Sequence, residues 1–206
     1  EVVDADDAKT IIPVTEDSGS RGNGILPNPL CDKLIYIAGD YSTYVAKAKS
    51  DADEYFVTYI KALKAWAESE YSDICITAIY DYLSKRMLIN DLIGDGILKL
   101  KGAVLDEEYK ITKSAKQIDS FVRFVVNDLD SGENIKVWKS KALFDKYIAY
   151  YEALGKERDC QLCYASGKIV PVTYKHMARI RNGGDKAKLI SLSLIHISEP
   201  TRRTPI

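Results

Sequence analysis

Apolar residues recur at helical spacing in two stretches between residues 50 and 88. In "SDADEYFVTYIKALKAWAESEY", Phe56, Ile60, Leu63 and Ala67 share one stripe, and Ser50 and Asp51 stand where an N-cap belongs. "SDICITAIYDYLSKRML" repeats the arrangement, with Ser72 and Asp73 at its start and Ile76, Ile79, Tyr80 and Leu83 on a face. The two helices are expected to pack as a pair. The period then changes. "IGDGILKLKG" sets Leu98 and Leu100 against Lys99 and Lys101 between glycines, the alternation of a half-buried strand, and "IDSFVRFVV" is a run of β-formers interrupted by Arg123. "KVWKSKALFDKYIAYYEALG" returns to helical spacing, with Leu143, Tyr147, Tyr150 and Leu154 on one stripe and Gly155 at C′. Beyond it lies a basic segment that reads as a hairpin.

This order predicts an α+β fold of mixed helices and short antiparallel strands, in an incomplete domain. Residues 1–32 lack periodic apolar positions and carry "EDSGSRGNGILPNPLCD", rich in turn residues, so they read as an extended or mobile leader. The body of the fold is then 33–191. At 206 residues, 46% hydrophobic and 29% charged, the composition is that of a globular protein with one substantial core. No apolar run is long enough to span a membrane, and no basic, then apolar leader suggests export, so a cytoplasmic protein is expected. The chain starts at Glu1 and not at Met, which we read as the mark of a fragment.

Net charge is only -1, but its distribution is uneven. Residues 1–20 hold six acids against Lys9. Residues 160–191 hold Lys168, Lys175, Arg179, Arg181, Lys186 and Lys188 against Asp185. A basic cluster of this density, interleaved with Tyr174 and apolar residues around a Gly-Gly turn, suits a polyanion: cations neutralise phosphates, and turn N–H groups approach them closely. Charge alone leaves this reading level with an amphipathic edge that meets a protein.

Catalytic signals are weak. Cys160 and Cys163 form a C-x-x-C pair with His176 downstream, but a tetrahedral zinc site wants four ligands and the fourth is missing. No metal or other cofactor is expected, and four scattered cysteines do not make a disulfide framework. "NGGDK" resembles the Gly-Gly-Asp turn of nucleotide cyclases, but Lys186 stands where an acid is wanted. No phosphate-binding loop, dinucleotide fingerprint or nucleophile elbow occurs. We expect no enzyme, with a small metal-dependent enzyme as the least favoured alternative.

Four stretches carry a likeness: "PNPLCDKLIYIAGDY", "ADEYFVTYIKALKAW", "FVRFVV" and, most specifically, "CYASGKIVPVTYKHMARIRNGGDKAKLIS". Across about residues 25–191 the chain resembles the N-terminal half of the Csd family, the large subunit of the type I-C CRISPR Cascade complex. In that pattern Cys163 and Gly167 are the emphasised positions, which weakens the zinc reading further. After Ser191 the chain departs into "LSLIHISEPTRRTPI", which resembles translated sequencing-adapter read-through and makes 192–206 a non-native tail.

The resemblance implies a non-catalytic subunit that assembles with crRNA and other Cascade subunits. It would help recognise the protospacer-adjacent motif, hold double-stranded target DNA in antiviral defence, and leave cutting to a recruited helicase-nuclease. The alternative is a structural scaffold that contacts crRNA and neighbouring proteins. The residues assigned to nucleic acid, from charge and not from the family, are Lys168, Lys175, Arg179, Arg181, Lys186 and Lys188.

Overall fold

A computed structural model describes residues 10–13, 15, 18, 24–46, 48, 50–112, 115–128, 132–155, 159–164 and 166–172. The fold is α+β. Its centre is helix α3 (Ala52–Ala67), reached through strand β1 (Asp32–Lys33) and two one-turn helices, α1 (Leu34–Ile37) and α2 (Tyr41–Tyr44). Asp53 and Glu54 in its first turn and Lys64 in its last oppose the helix dipole. Asp51 precedes the helix, but its side chain does not cap it. The buried face is Ala52, Phe56, Tyr59, Leu63 and Trp66, with Ile60 and Ala67 at its margin. The sequence stripe thus lies one position off the true centre.

Helix α4 (Ile74–Leu83) packs against α3 and opens as its sequence indicates, because the Asp73 carboxylate accepts the Cys75 N–H at 3.0 Å. It buries Cys75, Ile76, Ile79 and Leu83. Helix α5 (Leu88–Gly94) has no cap from its own neighbourhood. Asp40, far back in the chain, supplies one, with its Oδ2 accepting from the N–H groups of Ile89 (2.9 Å) and Asn90 (3.0 Å).

The leader assigned to 1–32 ends in packed chain: Leu30 and Cys31 are buried, and so is Asp32. Asp32 tolerates burial because its two oxygens accept the N–H groups of Asn28 and Lys33, at 2.7 and 2.8 Å. Leu30 sits at φ 64, a backbone costly for a side chain of its size. Its carbonyl accepts the Tyr59 hydroxyl at 2.8 Å, which fixes the turn against α3.

Among the described residues, the strands form four separate antiparallel pairs. β1 pairs with β4 (Phe121–Val122) in the register Asp32↔Val122. β2 (Leu100–Lys101) turns at Gly102 into β3 (Val104–Leu105). Leu98 is buried and Leu100 exposed, so the alternation expected of them does not extend to a common face. Gln117, fully buried in a 3-10 turn (Gln117–Asp119), braces the β2–β3 hairpin. Its amide accepts the Lys99 N–H (3.0 Å) and donates to the carbonyls of Lys99 (2.9 Å) and Asp106 (2.6 Å).

The "FVRFVV" run is not one strand. It breaks after β4, and β5 (Val125–Asn127) pairs instead with β6 (Asn134–Lys136). At the break the Arg123 guanidinium lies 4.2 Å from the centre of the Trp138 ring. The stretch after β6 also corrects the sequence reading. Val137–Lys139 is a 3-10 turn that buries Val137 and Trp138, and helix α6 (Lys141–Leu154) begins only after Ser140, whose hydroxyl accepts the Leu143 N–H. Gly155 ends α6 at φ -78, so it is not the left-handed C′ glycine expected. Tyr147 and Tyr150 pack on Trp66, with ring centres 4.8 and 6.2 Å away, while Leu154 is exposed. Among the described residues, no helix is long and apolar enough to cross a membrane.

Candidate nucleic-acid interface

Strands β7 (Cys160–Leu162) and β8 (Ile169–Pro171) form a hairpin at the start of the basic segment, whose Gly-Gly turn lies outside the described residues. The register pairs Cys160 with Pro171, Gln161 with Val170 and Leu162 with Ile169. Backbone bonds close both ends: Val172 N–H to the Asp159 carbonyl (2.8 Å) at the base, and Cys163 N–H to the Lys168 carbonyl (2.8 Å) near the tip. A further bond from Gly167 N–H to the Cys163 carbonyl (2.7 Å) tightens the turn. Gly167 is at φ 68, so a residue without a Cβ suits this corner.

Every residue of both strands is exposed. The hairpin therefore gains little from burial, and its shape rests on its backbone ladder. Lys168 lies beside the tip and is exposed, and Tyr164 at the tip is 95% exposed. The pair offers a flat aromatic face and a cation within one turn, groups that stack on a base and neutralise a phosphate. Of the six cations assigned from sequence, Lys168 is the one placed. Lys175, Arg179, Arg181, Lys186 and Lys188 lie outside the described residues, as do His176, the Gly-Gly-Asp turn and the tail from residue 192.

Of the C-x-x-C pair, Cys160 starts β7 and Cys163 follows its last residue, while His176, the third candidate ligand, lies outside the described residues. Among the described residues there is no cluster of metal-ligating side chains. The other two cysteines are buried. Burial raises the Cys31 thiol to about 12 and the Cys75 thiol to about 11, the latter helped by the Asp73 charge, so both stay protonated at neutral pH. Neither supplies a thiolate nucleophile.

Four other described cations lie against aromatic rings. Arg123 and Lys136 approach the Trp138 ring, Arg86 lies over Phe56, and Lys99 lies over Tyr109. A cavity of about 600 Å³ between α5 and β4 is walled mainly by apolar side chains, including Leu34, Leu88, Leu98 and Phe121. The Arg123 on its wall is held by Trp138 and by Thr10 (3.4 Å). The exposed Tyr164 was not among the residues singled out in the sequence. An aromatic four positions before a lysine, in a turn that ends in glycine, was the signal available for it.

In comparison with protein families, the family model described as CRISPR-associated protein (Cas_Csd1) matches residues 3–194. No curated protein and no solved structure matches the chain.

Proposed function

Because the chain belongs to the Cas_Csd1 family of CRISPR-associated proteins, we propose that it acts as a non-catalytic, nucleic-acid-binding subunit of a type I-C surveillance complex. Its partners are crRNA, other Cas subunits and double-stranded target DNA, and its work includes recognition of the protospacer-adjacent motif. A helicase-nuclease recruited to the complex cuts the DNA. The family match carries this reading. The hairpin adds a physical support, since an exposed element bearing Lys168 leads directly into a segment with five more cations and one acid, Asp185.

Electrostatic binding of this kind has a measurable signature. Neutralising about four phosphates on duplex DNA gives a slope of log affinity against log salt of about -3.6, and each Lys→Ala change in the cluster reduces it by about one unit. The measurement uses the full-length subunit assembled with its guide complex. An unchanged slope in the combined alanine variant of Arg179, Arg181, Lys186 and Lys188, with assembly intact, would overturn the assignment. A second reading, a scaffold that grips neighbouring proteins, draws on the exposed Leu162, Ile169 and Val170 of the hairpin. It predicts loss of assembly on substituting those residues, with the salt slope intact.

A further inference from the structure

We infer that the tip of the β7–β8 hairpin is a base-stacking finger, in which Tyr164 stacks on an unpaired nucleobase while Lys168 meets the adjoining phosphate. The inference rests on the nucleic-acid reading above and adds a chemical role to it. Tyr164 is more exposed than any other large hydrophobic side chain among the described residues, at 95%, against 74% for Ile169 and 66% for Ile11 and Ile74. A tyrosine ring is ordinarily placed with its apolar body covered, so one held clear of the protein is presented to something else.

The Cys163–Lys168 bond and the Gly167–Cys163 bond flank Tyr164 and place it with Lys168 at one hairpin tip, and Gly167 takes a positive φ there. The occupant is chosen by charge. Lys168 stands at the same tip, and the chain runs from the hairpin into its most basic segment, which favours a polyanion over an apolar protein surface. Stacking is tolerant of sequence because every base has a π-face, so the finger holds an unwound strand and does not read it.

The test uses the full-length subunit assembled with guide RNA and its partner Cas proteins. Target DNA carries 2-aminopurine in turn at each position of the separated strands. Tyr164→Ala and Tyr164→Leu are expected to weaken target binding roughly 5- to 150-fold and to relieve quenching of the 2-aminopurine at one position, whereas Tyr164→Phe retains both. The salt slope stays unchanged in all three, since no charge is removed. Normal affinity and normal quenching in Tyr164→Ala would overturn the finger, even with the lysine variants still flattening the salt slope. Lysine variants that leave the slope intact would instead overturn the nucleic-acid reading beneath it. Binding lost in Tyr164→Ala but kept in Tyr164→Leu, with assembly weakened, would overturn stacking in favour of an apolar protein contact.

Discussion

The Lys146 ammonium lies 2.6 Å from a carboxylate oxygen of Asp73, so the residue that caps α4 also ties α6 to it. Burial raises the Asp73 carboxyl, but the Lys146 hydrogen bond and the Cys75 N–H more than reverse this, leaving it below its ordinary 3.8. A lowered folded value means that the stabilisation is present above pH 3.8 and is lost as pH falls through the lowered value. Asp73→Ala should cost about 1 kcal/mol at neutral pH. Asp73→Asn keeps the cap and loses only the ion pair. Thermal melts of both variants from neutral to acid pH check this: the gap to wild type should close in acid.

Tyr59→Phe should destabilise by about 1–3 kcal/mol, because it strands the buried Leu30 carbonyl at a turn already held at positive φ. Burial pushes the Tyr59 phenol well above its ordinary 10, so the hydroxyl remains a donor throughout the neutral range. Urea unfolding of the two proteins measures the cost. Equal midpoints would show that the bond contributes nothing.

Gln117→Leu keeps the approximate volume and removes the amide that serves Lys99 and Asp106. Three hydrogen bonds at about 1 kcal/mol each set the expected loss at about 3 kcal/mol. Hydrogen exchange should show it first at the Lys99 N–H.

Gly39→Ala would place a Cβ 2.6 Å from Arg86 Cγ and 2.9 Å from both Arg86 Cβ and Phe56 Cε1. The atoms met are near the Arg86 backbone and on a packed ring, so relief requires the chain to shift. A loss of about 1–3 kcal/mol is expected in a denaturant titration.

Purified without added metal, the protein should contain no stoichiometric zinc, since Cys160, Cys163 and His176 offer three ligands and a structural site is closed by four. Elemental analysis near one zinc per chain would contradict that ligand count.

The helices were legible because their burial is periodic. Even there the stripe drawn through Ile60 and Ala67 missed Tyr59 and Trp66, which bury their rings and send their polar ends to the carbonyls of Leu30 and Tyr71. Pattern reading treats such side chains as surface, whereas a backbone acceptor within reach makes them core. The Asp40 cap on α5 was hidden for another reason: its partners lie in a distant part of the chain, and capping rules search only neighbours. "FVRFVV" showed β-propensity but not partners, and two partners divide it. In the basic segment, weighing cations singled out Lys168 and passed over Tyr164, whose distinction is its exposure and not its residue type.

The pairing of β1 with β4 has a kinetic consequence. Each strand is only two residues long, yet the pair joins Asp32 to Val122 around the whole α1–α5 region and the β2–β3 hairpin. Closing so long a loop costs chain entropy that two residue pairs do not offset alone, so the clasp is expected to follow the α3–α4 pair in time. Folding rate should then respond weakly to substitutions at β1 and β4 while unfolding accelerates, making this short ladder the latch that sets the lifetime of the native state.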